Sequence, residues 1–269
     1  MLLVLFLLVL CLLWALVEPH IITLRRDELA YPALPPGLDG LKIAFVSDLH
    51  CDSRMARWRV ERAAEKLARL APDVVILGGD YANTQEGAAL CFDALAGLRP
   101  KHGVYAVPGN HDARYQGLAG LLEQHGITPL VNGCARIETE AGTLALVGLD
   151  DFLTGSPDPQ RALAQAEGAD ALLLIAHNPL GIAPAAPYLP AGSVAYALCG
   201  HTHGGQVTIF GLWGPLSERF CPAYAPLWVA EGGVPTLYSN GLGTTAIPLR
   251  FFALPQIHLL TLVSAEKQG

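Results

Sequence analysis

With 269 residues, the chain is long enough for one large domain or two small ones with a sizeable core. Its formal net charge of −7 argues against a nucleic-acid-binding stripe, because neutralising phosphates takes clustered lysine and arginine. Only 15% of residues are charged and the mean hydropathy is +0.36, an apolar excess concentrated at the N-terminus.

Residues 1–17 carry no charged side chain. As a helix rising ~1.5 Å per residue they span roughly 26 Å, at the short end for a bilayer core of about 30 Å. An uncleaved membrane anchor fits best. A signal peptide would want a basic start and a small-x-small cleavage site; the first is missing and the second is poor. A buried core helix is the third reading. No basic residue precedes the segment and Arg25 and Arg26 follow it, which by the positive-inside bias puts the rest of the chain on the cytoplasmic side. The six cysteines show neither metal-type spacing nor a disulfide framework, and free thiols at Cys51 and Cys199 suit a reducing compartment.

Residues 18–40 read as a juxtamembrane linker, with a Pro/Gly hinge at 31–37, and the main domain as 41–269. The first strand, 42–47, runs into Asp48-Leu49-His50. Apolar positions 60, 63, 64, 67 and 70 then give the stripe of an amphipathic helix over 55–70, stopped by Pro72. A strand at 74–77 meets Gly79-Asp80, a helix covers 86–98, and a strand at 104–107 meets Gly109-Asn110-His111-Asp112. Further helices fall at 118–125 and 158–167, and a strand at 143–149 ends on Asp150-Asp151. Strands at 172–176 and 194–198 lead to His177 and to Gly200-His201-Thr202-His203. The alternation says α/β class. Beyond Gly204, strands at 206–210, 236–239 and 257–262 read as a second sheet packed on the first, and 265–269 as frayed.

Five apolar strands thus end on carboxylates, imidazoles or a carboxamide, and ligands in open α/β sheets collect at the strands' carboxyl ends. A single sheet edge would gather seven candidate metal ligands: Asp48, His50, Asp80, Asn110, His177, His201 and His203. Borderline divalent cations take such oxygen and imidazole donors, and two of them can clamp the attacking and leaving oxygens of a phosphoryl group. In extended chain, residues two apart share a face, so Asp48/His50 and His201/His203 would each converge; a turn there would weaken that argument. Each motif alone is commonly a surface turn. Together they take five of nine histidines (50, 111, 177, 201, 203), leaving 20, 102, 125 and 258 as structural or solvated.

The ordered set Asp-x-His, Gly-Asp, Gly-Asn-His-Asp, His and Gly-His-x-His resembles the calcineurin-like metallophosphoesterase superfamily over residues 41 to about 262. The resemblance implies a four-layer αββα sandwich of two mixed sheets. It implies that Asp48, His50 and His203 hold one metal, that Asn110, His177 and His201 hold the other, and that Asp80 bridges. A hydroxide shared by the ions would attack phosphorus, His111 would act as the catalytic histidine, and Asp112 would orient its neighbours. Mn²⁺ is the expected metal; Fe²⁺ and Zn²⁺ suit the same donors.

Within the superfamily, the N-terminal helix, Glu18-Pro19, the run to Gln206 and Ser239-Asn-Gly-Leu-Gly243 are similar to a bacterial inner-membrane-anchored branch of phosphodiesterases and UDP-2,3-diacylglucosamine pyrophosphatases. The implied reaction releases UMP and a lipid 1-phosphate in lipid A synthesis, with the membrane and a lipid-linked diphosphate as partners and no nucleic acid or protein partner. The alternatives are a broader envelope phosphodiesterase and a non-catalytic binding scaffold. Aromatic residues at 210–213 and 224–228, with Arg250-Phe251-Phe252, would face an acyl chain and a phosphate, or else fill the second sheet's core.

Overall fold

Short runs of Val, Ile, Leu and Ala in which every residue is buried make the centre of this fold, and alternate residues along each run face opposite layers. The computed structural model describes residues 1–209 and 227–265. Its strands are β1 (Thr23–Tyr31), β2 (Lys42–Val46), β3 (Val74–Leu77), β4 (Val104–Ala106), β5 (Ile127–Pro129) and β6 (Gly133–Thr139). They continue with β7 (Gly142–Gly148), β8 (Ala171–Ile175), β9 (Ala195–Cys199), β10 (Trp228–Glu231), β11 (Val234–Tyr238) and β12 (Gln256–Ser264). The helices are α1 (Leu2–Val17), α2 (Arg54–Leu70), α3 (Gln85–Leu95), α4 (Leu118–Gln124), α5 (Pro159–Ala164) and α6 (Ile182–Ala185).

Two mixed six-stranded sheets result, ordered β1-β12-β2-β3-β4-β5 and β10-β11-β9-β8-β7-β6. Phe45, Ile76, Leu146, Leu173, Leu198 and Leu260 fill the space between them. Val46 and Leu77 turn the other way, onto Val60, Ala63 and Leu67 of α2 and Phe92 of α3. Val147, Leu172 and Leu174 pack outward against Leu163 of α5 and Ile182 of α6. The architecture is the four-layer αββα sandwich. Its helices begin where the sequence caps them: Ser53 accepts from Ala56 N, Thr84 from Gly87 N and Asp158 from Arg161 N.

Three sequence expectations are corrected. Residues 18–40 are not a linker: β1 lies at the sheet edge, parallel to β12 over nine paired residues. Its charged stretch Arg25-Arg26-Asp27-Glu28 faces largely outward, so no apolar alternation marks it. Residues 257–262 do form a strand, but β12 sits between β1 and β2 in the first sheet. The second sheet instead begins at β6, and Val207 makes only an isolated bridge to Phe251 where a strand over 206–210 was expected. Strands buried on both faces look alike in sequence whichever sheet they join.

The reading of α1 as a core helix fails, since Ala15 is its one buried residue. Residues Leu2–His20 are long and apolar enough to cross a membrane. The end of α1 is fastened to the domain: the buried Glu18 carboxylate accepts from Trp14 Nε1 at 2.7 Å, Phe252 N at 3.0 Å and Ala253 N at 2.6 Å. The amide of Arg250 donates to Ala15 O at 3.1 Å.

The edge strand also sews the two sheets together. Tyr31 Oη donates to Leu172 O at 2.8 Å, Tyr196 Oη donates to Ala30 O at 2.9 Å, and the two rings meet edge to face at 5.2 Å. Tyr31→Phe is expected to cost about 1 kcal/mol of unfolding free energy in urea, since it deletes one buried hydrogen bond and little packing. An unchanged midpoint would show that this bond contributes nothing.

Candidate metal centre

All five metal-type motifs lie at the same end of the sandwich, but they come from both sheets: β2, β3 and β4 in one, β8 and β9 in the other. The expected single sheet edge is therefore a seam across two sheets. Backbone bonds zip the loops together, with Asp48 N donating to Gly79 O at 2.9 Å, His50 N to Asp80 O at 3.1 Å and Gly200 N to His177 O at 3.0 Å. His201 N crosses between the sheets to Asp48 Oδ1 at 3.0 Å.

Residues two apart do not converge here by strand alternation. Asp48, His50, Asp80, His201 and His203 all have left-handed backbone, with φ of 53°, 43°, 58°, 69° and 52°. Such conformations cost of order 1–3 kcal/mol each in a non-glycine residue and persist only where the surroundings hold them. Turn geometry, not pleat, aims these side chains. Gly109 is required by close approach: a Cβ there would collide with the Asp80 carboxylate and sit 2.5 Å from Asp80 N.

One carboxylate oxygen lies at the centre. Asp80 Oδ2 is 3.3 Å from His177 Nε2, 3.7 Å from His50 Nε2 and 4.0 Å from His111 Nε2. Asp48 Oδ1 is 3.5 Å from His203 Nε2 and 4.0 Å from His177 Nε2, and His50 Nε2 faces His203 Nε2 at 3.1 Å. His201 Nδ1 and Asn110 Oδ1 approach to 2.9 Å beside His177, whose ring meets that of His201 edge to face. All seven sequence-chosen groups and His111 are thus in one cluster. Asp48-His50-His203, Asp48-Asp80-His177 and His50-Asp80-His111 each place their donor atoms within 4.8 Å of one another.

This cluster fits divalent cations. His177 Nδ1 donates to Gly78 O at 2.8 Å, which turns Nε2 toward both aspartates, where it is buried without a hydrogen-bond partner. Burial holds His50 down to about 3 and His201 to about 4, with His203 well below its ordinary value. Three rings are therefore neutral and offer lone pairs. Burial pushes Asp48 up to about 6, against the pull of His177. Burial also opposes the charged forms of Asp80 and His177, but each outweighs it for the other: Asp80 is lowered, and His177 rises to about 10. That proton on His177 is the positive charge the carboxylates find among themselves, and a metal ion would compete with it.

Two residues support the cluster from behind, one of them legible in sequence and one not. Asp112 was singled out, and its carboxylate gathers the loops by accepting from Asp80 N at 2.8 Å, Gly109 N at 2.9 Å, Tyr81 N at 2.9 Å and Tyr115 Oη at 2.9 Å. Burial, with Asp80 nearby, pushes it up to about 7. Asn83, unflagged by any motif, takes His111 Nδ1 on its Oδ1 at 2.6 Å and also Arg114 at 2.5 Å. Because that oxygen only accepts, His111 Nδ1 is the donor and Nε2 faces the cluster.

Arg250 corrects an expectation. Rather than meeting a phosphate, its guanidinium is fully buried and donates to Gly243 O, Asn240 O, Ala253 O and His203 O at 2.5–3.3 Å. Its five N–H groups are spent on the loops behind His203. Asp150 and Asp151 build the turn after β7, accepting from Ser156 N and from Leu153 N and Thr154 N. Of the aromatic runs, 210–213 and 224–226 lie outside the described residues, while Trp228 packs edge to face on Tyr196 between the sheets.

Comparison with known proteins bears on this cluster. A family model described as Calcineurin-like phosphoesterase matches residues 41–205, which span all the motifs. The chain is 29% identical to Uncharacterized metallophosphoesterase YkuE of Bacillus subtilis, over 93% of this chain and 88% of that one. It is 29% identical to Phosphodiesterase YaeI of Escherichia coli, over 91% and 90%. It is 27% identical to a Transmembrane protein with metallophosphoesterase domain of Danio rerio, covering 88% of this chain but only 56% of that protein.

Asp112→Asn tests how the cluster is held. Both carboxylate oxygens of Asp112 face N–H or O–H donors, so an amide must turn its own NH₂ toward one of them. The expected result is a loss of about 1–3 kcal/mol in urea unfolding, together with a lower metal content by atomic emission. Wild-type stability and metal content would remove Asp112 from that role.

Proposed function

The chain belongs to the calcineurin-like phosphoesterase family and is a phosphoester hydrolase, and on that premise we propose that it cleaves a phosphodiester or diphosphate bond with two metal ions held by its seven clustered ligands. In this reading Asp48, His50 and His203 hold one ion, Asn110, His177 and His201 hold the other, and Asp80 serves both. The observation that carries it is the single oxygen Asp80 Oδ2 lying within 4.0 Å of three imidazole nitrogens. Mn²⁺ suits the mixed oxygen and nitrogen donors, as do Fe²⁺ and Zn²⁺. Divalent ions held there supply Lewis acidity toward phosphoryl oxygen and lower the pKa of water.

The protein's own groups supply the rest. His111 keeps part of its side chain open to solvent, whereas Asp80 and His177 are almost wholly buried. Asn83, whose Oδ1 Arg114 also holds, fixes the ring through Nδ1, so Nε2 faces a leaving oxygen above the cluster, to which the imidazolium form would donate a proton. His50, His201 and His203, held neutral by burial, orient and bind without exchanging protons.

The substrate we propose is membrane-borne, with UDP-2,3-diacylglucosamine, cleaved to UMP and the lipid 1-phosphate, as the specific candidate. Support comes from α1, which continues into the domain through Glu18, and from Pro19 and His20, which line the same cleft as His50. Met55, Trp58 and Ile247 are exposed apolar side chains on that side. Arg25 and Arg26, which follow the helix, support a cytoplasmic orientation at an inner membrane. A broader phosphodiesterase is the second reading, favoured by the name of the Escherichia coli relative.

Asp80→Ala and His201→Ala are expected to lower Mn²⁺-dependent turnover of bis-p-nitrophenyl phosphate at least a thousandfold while retaining the wild-type circular dichroism spectrum. His111→Ala should lower it by about 10²–10⁴-fold with metal still bound. Full activity in Asp80→Ala would contradict the shared-ligand assignment. Chelation by EDTA should stop turnover and added Mn²⁺ restore it; an indifferent enzyme would end the metal reading. Mass spectrometry of products from UDP-2,3-diacylglucosamine decides the substrate, since release of no UMP leaves only the broader phosphodiesterase.

A further inference from the structure

Beside the metal cluster a cleft of about 280 Å³ runs from His50 past Thr244 and Thr245 to Pro19 and His20 at the base of α1. Arg59 of α2 forms part of its wall. This arginine is 4% exposed, its Nε is buried without a hydrogen-bond partner, and among the described residues no carboxylate forms an ion pair with it. Such a guanidinium is expensive to keep dry unless an anion meets it. Burial lowers it only to about 10, so it stays charged near neutral pH.

Among the described residues, the one carboxylate lining the cleft is committed elsewhere: Asp52 accepts from Asn83 N at 2.7 Å and from Asn83 Nδ2 at 2.5 Å. His20, read from sequence as structural or solvated, has a buried Nδ1 without a partner and rests edge-on against Trp58 at 5.7 Å. Arg250 adds positive charge behind His203 but has no free N–H to give. Among the described residues the cleft therefore holds one unspent cation, opening onto a site that receives phosphoryl groups.

We propose that Arg59 is a positioning residue that binds a second anionic group of the substrate, so that the preferred substrates carry two adjacent phosphoryl groups, one at the metal cluster and one in this cleft. The proposal rests on the phosphoryl-binding role given above to the cluster, and it narrows the substrate class to diphosphate esters. A guanidinium fork suits a phosphate's paired oxygens, and a hydrogen bond to a charged group in a buried place discriminates by roughly tenfold to a hundredfold.

The test uses the full-length, Mn²⁺-loaded protein turning over bis-p-nitrophenyl phosphate, with AMP and α,β-methylene-ADP as inhibitors. These differ by one anionic phosphoryl group, and neither needs to be cleaved. The readout is the ratio of the two inhibition constants within each variant, so a general loss of activity cancels. The wild type should favour α,β-methylene-ADP by tenfold or more. Arg59→Met should erase that preference, and Arg59→Lys, which keeps the charge but loses the fork, should reduce it severalfold. If Arg59→Met does not fold, Arg59→Lys alone decides. A wild type without the preference, or a ratio that neither variant moves, overturns the proposal. A preserved, Arg59-dependent ratio in an enzyme that cleaves diesters but no diphosphate ester would instead sink the substrate reading and leave the anion site standing.

Discussion

Two carboxylates, Asp48 and Asp80, are buried side by side at the seam of the two sheets, and their mutual repulsion in a dry place constrains everything around them. Neither can be ionised there without nearby positive charge. Around them the chain supplies imidazoles held neutral by burial and one, His177, held charged by the carboxylates themselves. Its own groups supply one positive charge there, on His177, and cations of higher charge would complete the arrangement. The fold, the loops and the chemistry follow from accommodating that requirement.

Accommodation is costly in backbone conformation. Five ligand-type residues sit in left-handed geometry, which Asp and His tolerate better than most non-glycine residues but still at a cost. They are restrained from behind by groups that never face the substrate side. Asp112 collects the amides of Asp80, Tyr81 and Gly109, and Arg250 collects the carbonyls of the loops around His203. Rigid strands on either side give those loops short spans and fixed ends, so the donors stay close without a regular element beneath them.

Much of this was legible in the sequence because burial on both faces writes itself as Val-Val-Ile-Leu or Leu-Leu-Leu-Ile, and the polar groups that follow such runs stand out. The α/β class and the seven candidate ligands were readable on those grounds, while the αββα layering came from the family resemblance that the motifs carry. What failed to show were relations that carry no local pattern. The run at 257–262 looks the same whichever sheet it joins, and the charged strand β1 looks like a linker because only its backbone and a few inward residues are used. Asn83 and Arg59 stand in unremarkable contexts, and only contacts made across the fold single them out; Glu18 was noted for its motif, but its grip on Phe252 and Ala253 spans more than two hundred residues. The argument that residues two apart share a face failed because both pairs fall after the strands have ended.

Arg250 touches the apolar helix and the cluster at once: its amide holds Ala15 O, while its side chain holds His203 O. With Glu18 gripping the adjacent amides of Phe252 and Ala253, the junction has no swivel. Were that helix to cross a bilayer, as proposed, its rocking would be delivered as torque on the loop carrying His203. The angle of such a stalk would then set how far the mouth of the domain stands from the lipid surface.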